Sequence, residues 1–112
     1  MSEGTRHEGF GQRLLLTVIA ESVIEERLLA DLRRWGVGGL TTSRVEGDPF
    51  GSRVGDVAGG FVRMECVVPE EVSTRVLEGL ADAYFGRYKV IAYDHPVRVV
   101  RGEKFTRNEP TS

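Results

Sequence analysis

The chain of 112 residues is poor in the side chains that most often do chemistry, with one cysteine and two histidines. With Cys66 alone, no disulfide can close within the chain, and no cysteine set can hold zinc. His7 and His95 are far apart in sequence, so there is neither a metal-ligand spacing nor an identifiable Ser/His/Asp grouping. Charge of one sign is also missing. Lys plus Arg number 15 and Asp plus Glu 17, a formal net charge of −2. So balanced a surface has no built-in pull on a nucleic-acid backbone or an anionic lipid. No apolar run approaches the roughly 20 residues of a membrane span. Residues 1–12 are polar and lack the apolar stretch of a secretory signal. The expectation is one cytoplasmic domain with no nucleic-acid partner and no membrane insertion.

Glycine, by contrast, is plentiful. There are 14, and five of them (Gly47, Gly51, Gly55, Gly59, Gly60) fall between residues 47 and 60. With Pro49, they set residues 47–60 against regular structure and predict a long loop of the kind that carries function.

The periodicity around that loop predicts alternating strands and helices. Residues 13–20 (RLLLTVIA) are apolar on both alternating faces, as in a central strand covered on both sides. Ser22 and Glu25 have capping-box spacing. Ile24, Leu28, Leu32 and Trp35 recur at helical spacing, and Gly36 reads as a left-handed stop. Residues 39–46 form a second strand. Residues 61–68 form a third, with Val62, Met64, Cys66 and Val68 on one face and Phe61, Arg63, Glu65 and Val67 on the other. Pro69 suits the first position of a second helix, with Glu70 and Glu71 in its first turn. Val72, Val76, Leu80 and Ala83 make its stripe, and Gly86 ends it. Residues 88–93 are a fourth strand. Pro96 interrupts the chain, and residues 97–101 are a short fifth strand. Leu29-Ala30-Asp31 with Trp35-Gly36 is echoed about fifty residues on by Leu80-Ala81-Asp82 with Phe85-Gly86. The order points to an α+β, ferredoxin-like βαββαβ sandwich with a short extra C-terminal strand. Residues 1–12 are a disordered arm, 13–104 the domain, and 105–112 a polar tail. Because the first strand is apolar on both faces, the side of the sheet away from the helices predicts a homo-oligomer. Arg63 and Glu65 would neutralise each other across that covered face.

Catalysis finds little support. His95 reads as a surface residue, Cys66 as a small core hydrophobe, and the glutamate pairs as helix-end charges. RNA recognition would need stacking aromatics on the third strand, where Glu65 stands instead. Anion binding is better served. Gly51-Ser52-Arg53 offers backbone N–H groups, a hydroxyl and a guanidinium together, the set that suits a phosphate. Arg98, Arg101 and Lys104 could add positive charge.

The segments 35–43 (WGVGGLTTS) and 45–47 (VEG) resemble the run into the T-loop of PII signal-transduction proteins, and residues 62–69 (VRMECVVP) resemble the strand and proline after it. The resemblance spans residues 13–104. It implies a homotrimer that binds adenine nucleotides in clefts between subunits and docks its T-loop, here residues 47–60, on a transporter or enzyme. The B-loop G-D-G-K phosphate grip of standard PII proteins is replaced by Phe85-Gly86-Arg87-Tyr88-Lys89. The loop also lacks the tyrosine that some members uridylylate. These departures, with Gly51-Ser52-Arg53 and residues 99–105 (VVRGEKF), make the chain resemble the PII-like branch of the bicarbonate-transporter regulator SbtB and the carboxysome-associated proteins. The second loop arginine of that branch is here Asp56, and its redox-active cysteine tail is absent.

The resemblance implies an adenine nucleotide as ligand (AMP, ADP or cyclic AMP), bicarbonate as a candidate co-ligand, and no metal requirement. It implies nucleotide-binding roles for Thr41, Gly47, Ser52, Arg53, Lys89, Val90, Ile91 and Arg101. Asp48, Phe50, Arg53 and Asp56 would face the partner, a bicarbonate transporter or a carbon-fixation component. The reading is a non-enzymatic regulator. A nitrogen-type PII regulator of ammonium transport, a slow nucleotide hydrolase using Asp48, Asp56 or Glu103, and a structural CutA-like trimer stand as alternatives.

Overall fold

A computed structural model describes residues 10–51 and 59–100. Its elements are β1 (Phe10–Glu21), a 3-10 turn (Ser22–Ile24), α1 (Glu25–Arg34), β2 (Thr41–Val45), β3 (Phe61–Val68), α2 (Glu70–Ala83) and β4 (Val90–Val100). The four strands make one antiparallel sheet in the order β2-β3-β1-β4. This is the α+β, ferredoxin-like arrangement that the element order predicts.

The core lies between one sheet face and the helices. Leu16, Val18 and Ala20 of β1 and Val62, Met64, Cys66 and Val68 of β3 are buried in one cluster with Ile24, Leu28, Leu32, Val76, Leu80 and Tyr84. The β3 alternation is as expected, and its bounds agree residue for residue. The end of α1 follows from Gly36, which adopts φ +108°. That turn lets Gly36 N–H donate to the Arg33 carbonyl and Val37 N–H to the Leu32 carbonyl, the paired bonds of a Schellman stop.

Several local expectations are corrected. The Ser22–Glu25 capping box does not form: a 3-10 turn precedes α1, and neither helical segment has a side-chain cap bond. Pro69 stands at the N-cap of α2, not inside its first turn. The α2 helix stops at Ala83, and Gly86 is not among the described glycines with positive φ. Residues 39 and 40 precede β2 instead of forming its start. Strand β1 begins at Phe10, so part of the expected arm is sheet, paired with residues 98–100 of β4.

The expected fifth strand is a continuation of β4. Pro96 sits opposite Leu14 within one unbroken strand. Because β4 is the outermost described strand, one side of its backbone has no sheet neighbour among the described residues. Proline lacks an N–H and is tolerated where no ladder bond is required.

The sheet face away from the core is built in cross-strand rows. Val67, Leu15 and His95 form one; Thr41, Glu65, Thr17 and Tyr93 the next; Ser43, Arg63, Ile19 and Ile91 the third; Val45, Phe61 and Glu21 the fourth. No helix covers it. Val67 is 49% exposed, Tyr93 47% and Ile91 38%. Arg63 and Glu65 stand among these side chains, and neither has a partner among the described residues.

Candidate functional site

The sheet order separates the candidate residues. Thr41 opens β2 at one edge and is exposed; Val90 and Ile91 open β4 at the other. Three strand spacings lie between these edges, about 14 Å. One chain therefore does not bring Thr41 and Lys89–Ile91 to the same small ligand.

At the β4 edge, Lys89 is held through its backbone. Its N–H donates to Glu21 Oε2 at 2.7 Å, and its carbonyl accepts from Glu21 N–H at 3.3 Å. Val90 pairs with Ala20 and leans on the core, whereas Ile91 pairs with Ile19 and faces the open side.

The loop base comes next. Gly47 adopts φ +108°, which favours glycine. The Asp48 carbonyl accepts from Gly51 N–H at 3.3 Å, closing a turn through Pro49 and Phe50. Phe50, which the resemblance places in the partner-facing loop, is half-buried. Its ring lies 5.0 Å from that of Phe61 and helps bury Phe61 on a face that is otherwise open. Ser52, Arg53, Asp56 and Arg101 lie outside the described residues.

Glu21 and Ser22 are not legible from sequence as functional neighbours. Ser22 N–H donates to the Gly60 carbonyl at 2.9 Å, and Arg44 reaches Ser22 Oγ at 3.4 Å. The turn after β1 thus touches β2, the residues before β3 and the residue before β4. Only the capping-box spacing flags Ser22, and it indicates a different role.

A second polar cluster ties the helices together. The buried Tyr84 hydroxyl donates to Asp31 Oδ2 at 2.5 Å, and Arg34 pairs with Asp31 Oδ1 at 2.6 Å. Arg27 lies 5.1 Å from the Tyr84 ring and 6.0 Å from that of Tyr88. Burial, and then the bond to Asp31, pushes the Tyr84 hydroxyl up to about 12. Burial opposes ionisation of Asp31, but the bonds from Tyr84 and Arg34 outweigh it and hold the carboxyl below its ordinary value. Burial pushes the Cys66 thiol up to about 11, opposite to the shift that makes a reactive thiolate. Among the described residues, no group of three His, Cys, Asp or Glu is placed to hold a metal ion. No described helix is long and apolar enough to cross a membrane.

The family model for nitrogen regulatory protein P-II matches residues 13–104. The chain belongs to that family. A Thermus thermophilus protein provisionally assigned to PII-like signaling is 40% identical to this P-II chain. The match has a TM-score of 0.74 and covers 88% of this chain and 99% of that one. CPII of Thiomonas intermedia K12, a nitrogen regulatory PII-like protein solved with ADP, AMP and bicarbonate, is 27% identical, with a TM-score of 0.68 over 86% of this chain and 99% of that one. Bacillus subtilis GlnK, solved with ATP, shares the fold at 22% identity and a TM-score of 0.52, over 75% of this chain and 82% of that one. No curated protein matches the chain.

Proposed function

We propose that this P-II chain is a cytoplasmic, homotrimeric signalling protein of the branch that includes SbtB and the carboxysome-associated proteins. It binds AMP, ADP or cyclic AMP, with bicarbonate as co-ligand, between neighbouring subunits. Residues 47–60, as the T-loop, then regulate a bicarbonate transporter or a carbon-fixation component. The observation that supports an intersubunit site is the placement of Thr41 and Lys89–Ile91 on opposite sheet edges. A neighbouring copy can set its β2 edge beside the β4 edge of the first, so that both sets of residues meet one ligand. The open sheet face, with Val67, Ile91 and Tyr93 exposed, supports the assembly this requires. CPII, with ADP, AMP and bicarbonate bound, supports the ligand class.

In this reading the Lys89–Ile91 backbone meets the adenine edge, and Thr41 of the next subunit closes over it. Ser52 and Arg53 hold phosphate, Gly47 lets the loop turn at its base, and Arg101 meets sugar or phosphate. Asp48, Phe50, Arg53 and Asp56 belong to the partner-facing loop, with Phe50 acting from its stacked position at the base. The ligand changes the loop because it binds one loop arrangement better than the others. The protein uses no metal and turns over no substrate.

Calorimetry with AMP, ADP, ATP and cyclic AMP, each with and without bicarbonate, tests this. We expect saturable binding of AMP or ADP by the assembled protein. No heat from any nucleotide with the trimer intact would overturn the nucleotide reading. Unchanged affinity in Arg53→Ala would remove Arg53 from the site. Phosphate release above background with Mg²⁺ would overturn the non-enzymatic reading.

A further inference from the structure

We infer that Glu21 and Ser22 form a coupling junction between the start of β4 and the base of the β2–β3 connection. The importance of this junction for signalling rests on the nucleotide reading above; the coupling itself does not.

The bonds of the turn run in two directions. Glu21 closes a two-bond ring on Lys89: its N–H donates to the Lys89 carbonyl at 3.3 Å, and its carboxylate accepts Lys89 N–H at 2.7 Å. The next residue faces the other way. Ser22 N–H donates to the Gly60 carbonyl at 2.9 Å, and its hydroxyl lies 3.4 Å from Arg44 on β2. Gly59 packs beside the same side chain, since a Cβ placed there would lie 3.9 Å from Ser22 Cβ. One peptide link therefore separates the group holding Lys89 from the group holding Gly60.

That link has little freedom. Glu21 has φ −58° and ψ 135°, an extended state, while Ser22 begins a 3-10 turn. On one side β1 is fixed by its pairing with β3 and β4, and on the other Ile24 is anchored in the core. A shift of Lys89 drags the Glu21 carboxylate and backbone. The Glu21–Ser22 peptide must then rotate, and the Ser22–Gly60 bond lengthens. Glu21 and Ser22 act as positioning residues: neither needs to touch a ligand to relay its presence.

The geometry offers a selective test. The conformation of Glu21 is the one favoured before proline, and the first residue of a helical turn tolerates proline. Ser22→Pro removes the donor to Gly60 and puts a methylene in its place. Glu21→Ala releases Lys89 N–H. Glu21→Gln keeps an oxygen acceptor, and Ser22→Ala keeps the N–H.

Amide hydrogen exchange on the full-length protein without nucleotide reads the coupling, because linkage between two sites is reciprocal. We expect Ser22→Pro to speed exchange at Lys89, and Glu21→Ala to speed it at Ser22. Each effect should be roughly three- to tenfold, the scale set by loss of one hydrogen bond. Exchange at Leu16 and Met64 should stay unchanged, and Glu21→Gln and Ser22→Ala should behave nearly as the parent. Effects confined to the mutated side would overturn the coupling. Uniform acceleration across the sheet would overturn it too, by making the junction a general support. Calorimetry with AMP and ADP on the parent protein separately decides the nucleotide reading.

Discussion

The indole of Trp35, at the end of α1, occupies the space that a side chain at Gly79 in α2 would fill. A Cβ at Gly79 would sit 2.6 Å from Cε2 and 2.7 Å from Cη2 of the ring. Gly→Ala within a helix ordinarily stabilises by up to about 1 kcal/mol. Here overpacking costs more, about 1–3 kcal/mol. We expect Gly79→Ala to lower the midpoint of urea unfolding, with much of the loss recovered in Gly79→Ala/Trp35→Leu. A midpoint equal to or above that of the parent would show that the helices can separate freely there.

Tyr84 and Asp31 predict pH limits at both ends of the scale. The Asp31 carboxyl is held below its ordinary value of 3.8, so its contribution is full above that value and is lost on acidification. The Tyr84 hydroxyl is raised from 10.0 to about 12, so its contribution is full below pH 10 and falls as pH rises through that interval. Tyr84→Phe should cost about 1.5–3 kcal/mol at neutral pH, the scale of a bond to a charged partner. It should also flatten both limbs of the stability–pH curve measured by denaturant titration.

Arg63 and Glu65 predict how copies recognise one another. Both stand on the open sheet face, in adjacent rows, without partners among the described residues. Covering that face with a second copy strands both charges unless each finds its opposite on the neighbour. Arg63→Glu and Glu65→Arg should each weaken assembly by tenfold or more in light scattering after size exclusion. The double reversal should restore it. Single variants that assemble like the parent would remove these charges from the interface.

Cys66 predicts a silent thiol. It is buried on the core face of β3, and burial raises it to about 11. Labelling by a thiol reagent at pH 8 should track unfolding of the native protein, and should be fast only in denaturant. Rapid native labelling would place Cys66 within reach of solvent.

Elements written into local pattern are the ones legible in the sequence. The alternation of β3 lies between a glycine pair and Pro69, so both its face and its ends are visible. The Leu28–Leu32 stripe and the Gly36 stop of α1 depend on spacing alone. Pro96 misleads because its tolerance depends on β4 being an edge strand, a property of the whole sheet. The Glu21–Ser22 junction is hidden for a related reason. Its bonds run to Lys89 and Gly60, and most are backbone bonds that leave no trace in residue type. The contact of Phe50 with Phe61 is likewise tertiary, and no local pattern pairs the two rings.

The separation of Thr41 from Lys89–Ile91 has a further consequence. If neither edge of the sheet can complete a binding site alone, an isolated chain has no ligand to lose. Occupancy then depends on protein concentration as well as on nucleotide, and each stabilises the other by mass action. Dilution should empty the site as surely as removing the nucleotide. If the proposed nucleotide site exists, the number of copies a cell keeps would set the concentration at which that site can fill.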